Sequence, residues 1–175
     1  TPPSRFQRVD AMNRPPYNIL FLCTGNSARS IIAESLANGL GDGRFRGFSA
    51  GSQPSGRVQP LALKVLRDAG LSVEGARSKS MDEFAAPGAP EMDVIITVCD
   101  NAAGEACPVW PSQPVTAHWG VEDPVPHDGS EPSERDFQRA MQVLRRRFEL
   151  LASLKMEALD RLSLRQALSD IGREG

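Results

Sequence analysis

Cys23, Arg29 and Ser30 stand in the string Cys23-Thr24-Gly25-Asn26-Ser27-Ala28-Arg29-Ser30, a C-x5-R-S spacing that suits one kind of chemistry. The residues between Cys23 and Arg29 are enough to curl the backbone so that successive N–H groups converge on one point, a nest for a tetrahedral oxyanion. Gly25 and Asn26 are types that accept the positive φ angles such a curl needs. Arg29 can then clamp two oxyanion oxygens with its planar guanidinium. Thr24, Gly25, Asn26, Ser27, Ala28 and Arg29 are therefore the expected binding residues. The same surroundings act on the sulfur. Convergent amides, a helix N-terminus, Arg29 and a hydrogen bond from Ser30 favour thiolate, and such settings bring cysteine pKa values from about 8.5 to roughly 3.5–7.5. Cys23 is the expected nucleophile beneath a bound oxyanion. The plain alternative is a cysteine that merely ends a buried strand.

The flanking elements favour the reactive reading. Tyr17 to Cys23 is a short apolar run that reads as a buried strand, and Ser27 to Leu40 carries helical periodicity closed by Gly39 and Gly41. The loop thus sits where a strand meets a helix N-terminus, which is where open α/β sheets collect anions. Further strands are expected at Phe45 to Ala50, Met92 to Cys99 and Val115 to Trp119, with a helix at Gln59 to Ala69. Strands that are apolar throughout and separated by helices imply a parallel sheet covered on both faces. Ten of the fourteen prolines lie between Pro54 and Pro132, and none follows. The end of the chain should be helical, with Phe137, Met141, Leu144, Phe148 and Leu151 on one face and a last helix started by a Ser163-x-x-Gln166 box. Residues 1–16 read as a flexible extension, 17–154 as the α/β domain and 155–175 as a C-terminal helical extension.

Composition narrows the function classes. In 175 residues, 20 Lys and Arg meet 22 Asp and Glu, a net charge of −2 that argues against nucleic-acid binding. Apolar runs are too short to span a membrane, and the N-terminal stretch has no apolar secretory core. A chain of this length folds without disulfides, so three cysteines in it point to a reducing, cytoplasmic setting and to reactivity. No C-x2-C spacing suggests zinc. His118 reads as a packing residue, His127 as part of a solvated turn, and Arg145 to Arg147 as a solvated helix face.

With the Asp123-Pro124 pair far downstream, the loop makes the sequence resemble the low-molecular-weight tyrosine phosphatase superfamily, and within it the thiol-dependent arsenate reductases. The resemblance covers roughly residues 17–154. It implies a three-layer sandwich with a four-stranded parallel sheet flanked by helices, and Asp123 as general acid. It also implies a relay. Cys23 attacks arsenic, Cys99 resolves the adduct, and Cys107 carries the disulfide to an external thiol reductant. Thioredoxin, glutathione with glutaredoxin, and mycothiol all stay open, because the best-known members have one residue fewer between the last two cysteines. Ala28 stands where many relatives have a second loop cysteine. Arsenate is the implied substrate, phosphate and sulfate the competing anions, and no tightly bound cofactor is expected. Some members bind potassium beside the loop, which transfers to Asn26, Glu34 and Ser49, with Ser72 in place of a further acidic ligand. The rival readings are a tyrosine phosphatase using only Cys23, Arg29 and Asp123, and a non-catalytic redox sensor.

Overall fold

Tyr17–Cys23 (β1) is buried along its whole length and takes the interior position that such a strand requires. The structure is a computed structural model that describes residues 15–98, 113–126 and 128–173. Most of the expected N-terminal extension, together with Cys99, Cys107 and His127, lies outside them. After β1 come α1 (Arg29–Leu40), β2 (Phe45–Gly51), α2 (Pro60–Asp68) and a single turn, α3 (Asp82–Ala85). Then follow β3 (Val94–Thr97), β4 (Val115–His118), α4 (Glu134–Ala152) and α5 (Arg161–Gly172). The four strands are parallel in the order β2-β1-β3-β4. This is the expected α/β sandwich. Among the described residues no helix is long and apolar enough to cross a membrane.

Alternation along β1 divides the core in two. Tyr17, Ile19, Phe21 and Cys23 point into a large apolar cluster with residues of α1, α2, α4 and α5. Leu20 and Leu22 point the other way, into a smaller cluster with Ala50, Met92 and Ile95 beside Phe48, Met81 and Phe84. The sulfur of Cys23 therefore emerges on the thick side of the sheet, under α1. That helix lies close against β2: a Cβ built at Gly47 would fall 2.7 Å from the Glu34 carbonyl and 2.9 Å from Ala37 Cβ.

The C-terminal segment differs from its expected role as an extension. Leu164, Leu168 and Ile171 are buried in the same cluster as Phe21 and Phe137, and α5 packs on β4. Trp119 Nε1 donates to the Leu168 carbonyl at 2.9 Å. The helix also starts earlier than the Ser163 box suggests. Asp160 is its N-cap, accepting from the Ser163 amide at 2.7 Å, so Ser163 is a receiver of the cap. Leu168→Ala should destabilise the fold by about 2–5 kcal/mol, as a cavity in a well-packed core does. Leu162, which is 78% exposed on the same helix, should tolerate alanine with little change. Urea melts of the two variants check this, and equal stability would detach α5 from the core.

Candidate active site

The loop after β1 is held open by its carbonyls. Those of Cys23, Thr24, Gly25 and Ser27 accept from the amides of Ser52, Gln53, Ser55 and Gln59 at 2.9–3.2 Å, and Ser78 Oγ adds a second bond to Gly25. A trans peptide points its N–H opposite to its C=O, so turning these carbonyls outward turns the amides that follow them inward. One of these inward amides, that of Asn26, reaches Cys23 Sγ at 3.1 Å. Asn26 itself takes φ +47°, the left-handed curl expected of it. α1 then starts with no acidic residue in its first turn, so its positive end faces the loop uncompensated.

Around the sulfur the donors can be assigned. The Lys79 amide donates to Asn26 Oδ1 at 2.8 Å, which fixes which end of the Asn26 side chain is oxygen. Asn26 Nδ2 therefore faces Ser30 Oγ and donates to it at 2.7 Å. Ser30 Oγ lies 2.9 Å from Cys23 Sγ, and its hydrogen can be given to the sulfur when Cys23 is a thiolate. Cys23 is in no disulfide and is 3% exposed, with its sulfur accepting from the Asn26 amide and facing Ser30 Oγ. Asn26 and Ser30 are fully buried beneath the loop, so they hold the sulfur and do not line the cavity.

A cavity of about 260 Å³ opens above Cys23. The loop residues Thr24, Gly25, Ser27, Ala28 and Arg29 line it, with Asp123 and Val125 opposite. Arg29 spans the gap. Its Nη1 donates to the Val121 carbonyl at 2.9 Å and its Nη2 lies 3.4 Å from Asp123 Oδ2. The other carboxylate oxygen accepts from the Val125 amide at 2.9 Å, a turn that fixes the rotamer over Pro124. A second cavity, about 240 Å³, lies behind Asp123 and is lined by Glu122, Arg139 and Arg147. Only the first contains the thiol.

A model of the low molecular weight phosphotyrosine protein phosphatase family matches residues 18–162. The chain belongs to that family. Among its relatives in the family, the arsenate reductase of Bacillus licheniformis is 37% identical over 77% of this chain and 94% of that one. The glutaredoxin arsenate reductase of Synechocystis is 33% identical over 61% of this chain and 77% of its own length. A solved arsenate reductase in the phosphate binding state superposes with a TM-score of 0.62 at 29% identity, covering 78% of this chain and 97% of that one.

Three residues that the motifs did not reveal shape this family site. Gly51 is required by close approach: a Cβ there would lie 2.5 Å from the Thr24 carbonyl and 3.0 Å from Asn26 Cβ. Arg147 is 6% exposed and donates to the Gly120 carbonyl at 2.9 Å, three residues before Asp123. It corrects the reading of Arg145 to Arg147 as a solvated run; the position falls on the apolar face between Leu144 and Leu151, which was the available signal. Lys79, also buried, enters the region expected to hold potassium. Its Nζ lies 3.8 Å from Glu34 Oε1 and 3.2 Å from Ser49 Oγ. Asn26 Oδ1 is already taken by the Lys79 amide, and Ser72 is exposed, its carbonyl bonded to Ser35 Oγ at 2.7 Å. These residues do not fit a potassium ion. His118 packs as expected, with Nδ1 2.7 Å from Thr97 Oγ1. Gly51→Ala should overpack the loop by about 1–3 kcal/mol and so weaken phosphate binding by roughly tenfold or more. Calorimetric titration with phosphate checks this, and wild-type affinity in the variant would show that the loop has slack.

Proposed function

We propose that this chain reduces arsenate to arsenite by covalent catalysis followed by a thiol relay. Loop amides and Arg29 hold the oxyanion, and Cys23 Sγ forms a bond to arsenic. The As–O bond opposite breaks, and the departing oxygen leaves as water with a proton supplied by Asp123. Cys99 then attacks the sulfur of Cys23. The electron pair of the S–As bond stays on arsenic, which leaves as arsenite, while two thiolates become one disulfide. Exchange with Cys107 frees Cys23, and an external thiol system reduces the Cys99–Cys107 disulfide.

The observation that carries this reading over phosphotyrosine hydrolysis is the wall of the cavity. Among the described residues no aromatic side chain lines it. Trp119, the aromatic residue nearest Asp123 in sequence, is fully buried and bonded to α5. A small polar cup suits an inorganic tetrahedral anion better than an aryl phosphate. Cys99 and Cys107, two thiols that a phosphatase does not need, support the same choice, as do the names of the relatives. The relative with phosphate bound supports phosphate as a competing anion, and sulfate shares its shape and charge. The reductant is an external thiol system: thioredoxin and glutathione with glutaredoxin are the first to try, and mycothiol stays open.

Supplying arsenate with thioredoxin, its reductase and NADPH, and separately with glutathione and glutaredoxin, tests the proposal by the arsenite formed. One of the two systems should give sustained turnover. No arsenite from either, together with rapid hydrolysis of an aryl phosphate, would assign the chain to the phosphatases.

A further inference from the structure

Lys79 is 8% exposed and lies on the strip of chain between α2 and α3, beneath the anion loop. Its ammonium donates to Ser49 Oγ at 3.2 Å and to the Arg77 carbonyl at 3.0 Å, and faces Glu34 Oε1 at 3.8 Å. Ser49, through its hydroxyl and its amide, also favours the charged form of Glu34. The backbone of the same lysine is part of the site. Its amide orients Asn26, whose side chain orients Ser30 on the sulfur, and its carbonyl accepts from Gly51 at 2.9 Å.

Glu34 is the difficulty that this arrangement resolves. A half-buried carboxylate on the first helix, close under a loop that must bind a dianion, opposes the function of that loop. Burial pushes Glu34 above the ordinary carboxylate range and Lys79 below the ordinary lysine range, and each charge works against the other's shift. A compact, monovalent positive charge among oxygen atoms would neutralise Glu34 and hold the strip against the loop. Some relatives are expected to use a potassium ion for this, and here the ammonium stands among the same oxygens.

We propose that the Lys79 ammonium is a tethered monovalent cation, a positioning element that holds Asn26 and Ser30 on Cys23 and makes the site independent of added potassium. The inference goes beyond arsenate chemistry, since it applies whichever tetrahedral anion the loop takes.

Potassium rescue tests it. Thermal melting and calorimetric phosphate titration are run on the full chain in potassium chloride and in choline chloride at equal ionic strength. Wild type should give the same melting temperature and affinity in both salts. Lys79→Ala leaves Glu34 uncompensated and opens a space among oxygens. In choline it should melt at least about 4 °C lower and bind phosphate at least about tenfold more weakly. Potassium or ammonium ions should restore both readings, in proportion to their concentration, and choline should not. A potassium response in wild type would overturn the proposal, as would wild-type behaviour of Lys79→Ala in choline, or a folded Lys79→Ala that potassium does not restore. If Lys79→Ala fails to fold in either salt, the double variant Lys79→Met with Glu34→Gln decides. Having no charge left to neutralise, it should fold and bind phosphate equally in both salts; failure to fold or a potassium response would reject the tethered-cation role.

Discussion

Two polar groups converge on the sulfur of Cys23, the Asn26 amide at 3.1 Å and the Ser30 hydroxyl at 2.9 Å, and much of the surrounding structure keeps them there. A buried thiolate is unfavourable without such partners. The donors are themselves held. Asn26 must adopt a left-handed backbone conformation, its side chain must be turned by the Lys79 amide, and Gly51 must leave room for the loop to pass. Each requirement comes from a different part of the chain, so the surroundings of one atom depend on β2, on the strip before α3 and on the start of α1 at once.

The acid loop is held by a parallel device. Arg29 donates to the Val121 carbonyl and Arg147 to that of Gly120, so two buried or half-buried guanidinium groups grip adjacent residues just upstream of Asp123. Arg29 also pairs with the Asp123 carboxylate, and both line the cavity above the thiol. The long helix α4 thereby helps to place Asp123 although none of its residues lines the cavity above the thiol. Its basic residue on an apolar face acts through the backbone of the loop beside it.

Features that are local in sequence were legible before the fold was known. β1, the loop and α1 are contiguous, so the strand, the Gly25-Asn26 curl and the Arg29-Ser30 spacing are interpretable together, and β1 and β3 follow from their apolar continuity. What depended on distant partners was not legible. Lys79 sits in a polar stretch with no periodicity, and its meaning comes from Glu34 and Ser49, which arrive from α1 and β2. Arg147 was read by its charge and not by its place on the face shared with Leu144 and Leu151. Ser163 and Gln166 match a cap pattern three residues later than Asp160, which is the actual N-cap. Trp119 looked near Asp123 in sequence, yet strand geometry sends its ring into the core against Phe21, with centroids 6.3 Å apart.

The central claim is that this packing stabilises a thiolate at Cys23. Its direct measurement is the rate of Cys23 alkylation by iodoacetamide as a function of pH, resolved from the other cysteines by peptide mass spectrometry. Such surroundings should bring the apparent pKa below the free-thiol value, as at other helix N-termini with charged or amide partners. An apparent pKa near the free-thiol value of about 8.5 would contradict the account, because the two donors would then do nothing for the sulfur they surround.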